Sequence, residues 1–349
     1  MAITLTATTI ASYAQDWQKL QNAPAFRGKQ DDIHFINESR GWYVNGSGKI
    51  YRTSDGGQQW ELVYDKPGTF FRCVGFIDSL VGFAGNIGTD YFPNVTDTVP
   101  LYKTVDGGKT WTAVSYTGPV VKGLCAIEIV KIPYINHGVL AYKHKIVAGG
   151  RVGNPAYLIV STDDGKSFQS QDMNVHCSYI LDIKFLNENV GFVAAGSHKN
   201  VAESNALILQ TKDGGKSWKK VYQSKRPYEI TWKASFPSVK TGYVTLQSYN
   251  PDTTVATRYV LKTTNGGKTW KELLLVKDHS IREFGVGFID GKKGWVGTNK
   301  TGYETTDGGK TWSKRDIGAA VNKIRVIKTP DGYTCYAIGA NVYKWEGSS

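Results

Sequence analysis

The sequence holds little that could tie a fold together covalently or through a metal. Among 349 residues there are 4 cysteines and 2 methionines. Cys73, Cys125, Cys177 and Cys335 stand far apart, with no Cys-x-x-Cys pair and no metal-ligand spacing. A disulfide framework and a zinc module are therefore not indicated, and four buried thiols are expected. There is no GxSxG elbow, no P-loop and no HExxH helix, so no cofactor and no metal site is expected. The segment Asn86 to Asp97 is rich in oxygen ligands but lacks the ordered spacing of a calcium loop. No stretch approaches about 18 consecutive apolar residues, so no membrane span is expected. Lys and Arg number 42 against 30 Asp and Glu, a formal +12, yet no run of five or more basic residues occurs. Nucleic-acid binding is accordingly not expected, while an acidic partner such as a membrane surface, a polyanion or an acidic protein suits the balance.

What is abundant is glycine and aromatic side chains: 39 Gly, 20 Tyr and 10 Trp, with hydrophobic residues at 40%. Such a chain is folded, turn-rich and predicted to be all-β. One phrase recurs six times: TSDGGQQW (53–60), TVDGGKTW (104–111), STDDGKSF (161–168), TKDGGKSW (211–218), TTNGGKTW (263–270) and TTDGGKTW (305–312). The steps between starts are 51, 57, 50, 52 and 42 residues, the period of a propeller blade and too long for most helical solenoids. Glycine accepts the positive φ of a tight turn. The Asp or Asn oxygen and the flanking hydroxyls accept and donate hydrogen bonds within that turn. The closing Trp or Phe anchors the next strand. Asp55, Asp106, Asp163, Asp213, Asn265 and Asp307 are thus read as structural.

The flanks repeat as well. Three strands are predicted before each turn: one ending at Phe35, Phe185 or Phe288, one around Gly-Trp or Gly-Phe, and one running into the phrase. A fourth follows the Trp, as in WELVY and WKKVY. The C-terminal stretch 324–345 has three such strands and no fourth, whereas DWQKL (16–20) resembles a fourth strand with nothing before it. Joined, they complete a seventh blade and hide both sheet edges. Residues 15–349 are predicted to form a single seven-bladed β-propeller of four-stranded blades, monomeric.

In this geometry the phrase occupies the turn between strands 3 and 4, on a uniform face. The 2–3 connections lie on the opposite face and are long in four consecutive blades (85–100, 149–156, 196–206 and 247–258). Loops that differ between equivalent repeats are where specificity is placed. The innermost strands add charges of both signs: Asp31, Asp32 and His34, then Arg72, Glu128, Asp182 and Lys184, then Lys233, Arg282, Glu283, Lys323 and Arg325. From these, Asp32, Arg72, Glu128, Asp182, Lys233, Arg282 and Arg325 are candidate partner- or ligand-binding residues at the channel.

The [ST]-x-[DN]-x-G-x-[TS]-[WF] phrase resembles the Asp box, or BNR repeat, of sialidases, other glycan hydrolases and sortilin-like receptors. The fuller unit, F-x-(N/D)-x-x-x-G-W-x-V-G before G-x-I-Y-x-T-x-D-G-G-x-T-W, is most similar to the photosystem II stability/assembly factor-like propellers. That resemblance implies an exported, non-catalytic binding scaffold. It would present its loop-rich face to a protein, a glycan or a small acidic ligand. With Ser12-Tyr13-Ala14 closing the modestly apolar stretch 1–14, it implies a signal peptide cleaved before Gln15, or else a disordered tail, and a periplasmic or secreted location. The alternative is a sialidase-like hydrolase at the channel mouth, for which Arg27, following Phe26, would begin an arginine cluster with Arg72, Arg226 and Arg282, and Tyr303 would be the tyrosine. Arg27 is followed by Gly28-Lys29 instead of an apolar residue and Pro, and no Glu is placed to activate a Tyr, so the non-catalytic reading is preferred.

Overall fold

The computed structural model describes residues 16–348. The signal-peptide reading of 1–14 lies outside these residues. Twenty-eight strands form seven four-stranded antiparallel sheets. The innermost strands are Asp32–Phe35, Phe71–Phe76, Ala126–Asn136, Tyr179–Phe185, Glu229–Ser235, Glu283–Phe288 and Lys323–Thr329. Each touches the next, and the last returns to the first, which makes the seven-bladed ring. Blade 7 takes its outermost strand, Gln18–Lys19, from the other end of the chain, with Gln18 opposite Lys344 and Lys19 opposite Tyr343. The predicted closure is what joins the two ends.

The core is not central. Among the described residues most of it lies in seven apolar clusters, one in each seam between adjacent blades, because every sheet buries both faces against neighbours, with two smaller clusters beside the loop-rich end of the channel. The clearest repeating device is a phenylalanine at the end of the first strand. The rings of Phe35, Phe76, Phe185, Phe236 and Phe288 lie on the first residue of their blade's second strand. A Cβ at Gly41, Gly82, Gly191, Gly242 or Gly294 would fall 2.3–2.7 Å from the ring. Glycine is required there by contact, not by turn geometry.

The same ring meets the box Trp edge-on. Trp60 stands 6.1 Å from Phe35, Trp111 6.0 Å from Phe76, Trp218 6.3 Å from Phe185, Trp270 6.2 Å from Phe236 and Trp312 6.1 Å from Phe288, all at 84–89°. Its free face stacks on a second-strand aromatic of the preceding blade. Trp42 lies 3.6 Å from Phe76, Phe192 4.7 Å from Phe236, Tyr243 3.4 Å from Phe288 and Tyr336 3.7 Å from Phe35. The polar ends of three of these aromatics then bond to the neighbouring box turn: Trp42 Nε1 to the Gly107 carbonyl at 3.0 Å, Tyr243 OH to Gly308 at 3.3 Å and Tyr336 OH to Gly56 at 2.9 Å.

Within each box the first hydroxyl organises the turn. Thr104 Oγ1 donates to Asp106 at 2.8 Å and accepts from Gly108 N at 2.9 Å, while Asp106 accepts from Thr110 N at 2.9 Å. Equivalent bonds recur in the other five boxes. The boxes are turns, as the sequence predicts. All four cysteines are free and buried.

Because Thr104 is 1% exposed, Thr104→Val should leave the Gly108 amide unpaired at nearly unchanged volume. The expected cost is about 1–3 kcal/mol in urea unfolding; an unchanged midpoint would show that the box hydroxyl is dispensable.

Candidate functional site

The channel is not an open pore. Asp182 of blade 4 reaches across to blade 7, where Lys323 Nζ donates to it at 2.7 Å, and it also accepts from Ala234 N at 2.9 Å. Lys233 Nζ lies 4.0 Å from Asp182 and donates to the Leu181 carbonyl at 2.8 Å. Asp32 accepts from Arg325 at 3.0 Å and from Val74 N at 3.1 Å. Burial pushes the Asp182 carboxyl up, but the Lys323 and Lys233 ammonium groups hold it well below the usual carboxylate range. Burial, opposed by Asp182, brings Lys323 down to about 8. Above this layer Trp232 Nε1 donates to Asn322 Oδ1 at 2.8 Å, and Asn322 Nδ2 donates to the Asp31 carbonyl at 2.8 Å, linking blades 5, 7 and 1. The plug leaves two separate mouths.

The mouth on the Asp-box face is a cavity of about 540 Å³ lined by His34, Glu128, Lys184, Arg325 and a rim of apolar side chains. Glu128 accepts from Lys184 at 2.9 Å. Burial and the neighbouring Arg325 bring His34 down to about 3, so its imidazole is neutral at ordinary pH.

The mouth on the loop-rich face is a cavity of about 500 Å³. Its floor is the Trp232 indole, with Arg72 at 5.4 Å, Lys29 at 5.5 Å and Lys233 at 5.8 Å from the ring centroid. Its walls are Tyr91 and Phe92 from the long loop of blade 2, Val152 from blade 3, Lys199 to Val201 from blade 4 and Tyr249 from blade 5. All four loops singled out by their length thus contribute to the lining of this cavity. Arg282 is exposed and covers the Tyr249 ring at 4.7 Å. Arg72 is bonded to the fully buried Asp31, which also accepts from Lys29 at 2.7 Å. Burial and the adjacent Arg72 draw Lys29 down to about 8. Among the described residues no carboxylate lines this cavity. It is an aromatic cup with a cationic floor.

Of the eight candidate residues, Arg72 and Arg282 edge the cup, and Glu128 and Arg325 line the opposite mouth. Asp32, Asp182 and Lys233 belong to the plug, where their charges are matched internally. Arg27 is exposed on the segment leading to blade 1. The arginine cluster considered for a hydrolase is not assembled: Arg226 is held by Glu229 at 2.6 Å and by Glu272, on the outermost strand of blade 5, at 3.0 Å. Tyr303 sits in the third strand of blade 6, packed between blades 5 and 6. The residues that sequence reasoning missed are the aromatics of the cup, Tyr91, Phe92, Tyr179, Trp232 and Tyr249. Tyr91, Phe92 and Tyr249 carried a signal as aromatics in the long loops, whereas Tyr179 and Trp232 lie on innermost strands, and in so aromatic a chain nothing distinguishes them from core.

Glu283, adjacent to Arg282, turns into the seam between blades 5 and 6. It is fully buried, and neither carboxyl oxygen has a hydrogen-bond partner. Burial pushes this carboxyl up to about 8 from an ordinary value of 4.5. A carboxyl raised on folding retains its proton in the native state while the unfolded chain releases it. Stability should therefore fall as pH rises from about 4.5 to about 8. Glu283→Gln should match the wild type at pH 4 and exceed it by a few kcal/mol at pH 8.5 in urea titrations; equal stability at both pH values would mean the carboxyl is solvated. Arg72→Ala leaves Asp31 with Lys29 alone and should cost about 3 kcal/mol. Unaltered unfolding would make Arg72 purely a ligand-facing group.

Comparison with known proteins fits this architecture. The BNR/Asp-box repeat family matches residues 303–314. No curated protein matched by sequence. Among solved structures, YCF48 bound to D1 peptide superposes with a TM-score of 0.63 at 14% identity, covering 97% of each chain. YCF48 from Cyanidioschyzon merolae gives 0.61 at 16% identity, covering 95% of this chain and 98% of that one. The GH74 xyloglucanase from Xanthomonas campestris gives 0.64 at 13% identity, covering 95% of this chain and 53% of the enzyme. At such identities the likeness is one of fold. The chain is a seven-bladed β-propeller similar in fold to YCF48, and its residues 303–314 match the BNR/Asp-box repeat.

Proposed function

We propose that the protein is a binding and assembly scaffold that docks a polypeptide segment in the cup on its loop-rich face. The observation that carries this reading is the cup itself: aromatic walls from loops of different blades, a Trp232 floor and cations with no lining carboxylate. Such walls take apolar or aromatic side chains, and Lys29, Arg72 and Arg282 favour a segment that also carries acidic groups. A similar propeller, YCF48, was solved bound to a D1 peptide, which supports a peptide as the class of ligand. Export to the periplasm or beyond is part of this proposal and follows from the resemblance and the segment 1–14.

Glycoside hydrolysis is the weaker reading. Its usual form requires two carboxyl groups flanking the scissile bond. The loop-face cup offers none and the opposite mouth offers Glu128 alone, already paired with Lys184.

An array of 15-residue peptides combining acidic and apolar positions, probed with wild type and Tyr249→Ala, tests the proposal. Binding of acidic-apolar peptides, weakened at least about tenfold by the substitution, is expected. Peptide binding untouched by Tyr249→Ala and Phe92→Ala would move the site elsewhere, and turnover of a xyloglucan or sialoside panel would replace the scaffold by an enzyme.

A further inference from the structure

Blade 3 departs from the other six on the Asp-box face. Its first two strands, Ala126–Asn136 and Val139–Gly150, continue well beyond the sheet. The third strand pairs only with residues 146–150 of the second. The six pairs from Lys131 opposite His144 to Asn136 opposite Val139 form a two-stranded ribbon closed by His137 and Gly138, both at positive φ. At about 3.3 Å per residue it projects about 20 Å. The base of this ribbon is fixed. His144 N and Nδ1 lie 2.7 and 2.9 Å from Asp164 Oδ1, and Lys143 reaches Glu188 of blade 4 at 3.1 Å. Asp164 takes the place of the first glycine found in the other boxes and holds φ at 62° to do so, so the box has been altered to support the arm.

The arm is apolar where water would be expected. Ile135 is 68% exposed, Val139 67% and Leu140 55%, with Tyr134 and Tyr142 close behind. Alternation puts Pro133, Ile135, Leu140 and Tyr142 on one face and Tyr134, Val139 and Ala141 on the other. A groove on a folded partner would cover one such face and leave the other wet. A fluid apolar phase covers both. The side chains are also ordered by depth: Ile135, Val139 and Leu140 near the tip, then Tyr134 and Tyr142, then Lys131, Lys143 and His144. Lys131 Nζ stands 3.8 Å over the Tyr142 ring. Behind the exposed Asn136-His137-Gly138 turn, an apolar band, a tyrosine belt and a cationic collar follow in the order in which side chains sort across a lipid interface. The box lysines Lys109, Lys166, Lys216, Lys268 and Lys310 are exposed on this same face.

We propose that this hairpin is a membrane-docking arm. It inserts its tip into the interfacial region of an anionic lipid surface, with the box face toward the bilayer and the loop-rich cup directed away. The arm stands apart from the cup, so its role does not depend on the peptide-docking reading.

Sedimentation with vesicles of 30% phosphatidylglycerol in phosphatidylcholine tests it. Wild type should bind these vesicles and bind pure phosphatidylcholine at least tenfold more weakly. Ile135→Ser combined with Leu140→Ser should abolish binding at an unchanged melting temperature, since both side chains are exposed, and Leu140→Trp should blue-shift its emission on the vesicles. Three results would overturn the proposal: no vesicle binding at low ionic strength, undiminished binding by the double variant, or a concentration-dependent dimer of the wild type that the double variant lacks, which would make the arm a contact between copies.

Discussion

The structure depends on one crowded contact, the phenylalanine ring laid against a glycine at the start of the adjoining strand. With no Cβ in the way, the ring lies flat on the sheet, takes the box Trp on its edge and receives an aromatic from the preceding blade on its outer face. Each aromatic pair is worth about 0.5–1.5 kcal/mol beyond its burial, and the arrangement recurs around the ring. The Asp box serves this contact. Its hydrogen bonds hold the turn that delivers the Trp, and its glycine carbonyls receive polar groups from the neighbouring blade. A blade is therefore specified jointly with its neighbours.

The pattern is most instructive where it changes. In blade 3 the stacking aromatic is replaced by Lys145, whose ammonium stands 4.6 Å over Phe185 and donates to the Gly214 carbonyl. The same blade exchanges a box glycine for Asp164 and raises the long hairpin. These changes cluster because lengthening the first two strands alters the turn region against which the box packs. The 57-residue step between the second and third boxes, the longest of the five, is the trace of that extension in the sequence.

The channel separates two chemistries. Buried ion pairs add little net stability, since desolvation offsets their attraction, but here they fill the channel with groups that satisfy one another. What remains available lies at the ends. The loop-rich end is an aromatic cup over cations, and the box end is a ring of turns from which a single apolar arm rises. A scaffold that lies on a surface by one face and holds a polypeptide on the other is the arrangement we propose for these two ends.

Repeats made the architecture legible from sequence. Six boxes at blade spacing, the Gly-Trp and Gly-Phe starts and the mismatched ends at DWQKL and 324–345 led to seven four-stranded blades and to the closing strand, because backbone turns and strand alternation are local consequences of residue type. Loop lengths likewise marked the face that carries the aromatic cup. The fate of individual side chains was not legible. Asp182 is bonded to Lys323, 141 positions away in the chain, and Arg72 to Asp31. Trp232 is a pocket floor while Trp42, of the same residue type, is core. Sequence by itself determined the repeat, the turn chemistry and the ring. Only the tertiary structure decided which charges cancel and which aromatics line the cup, because both depend on distances across the channel between blades remote in sequence.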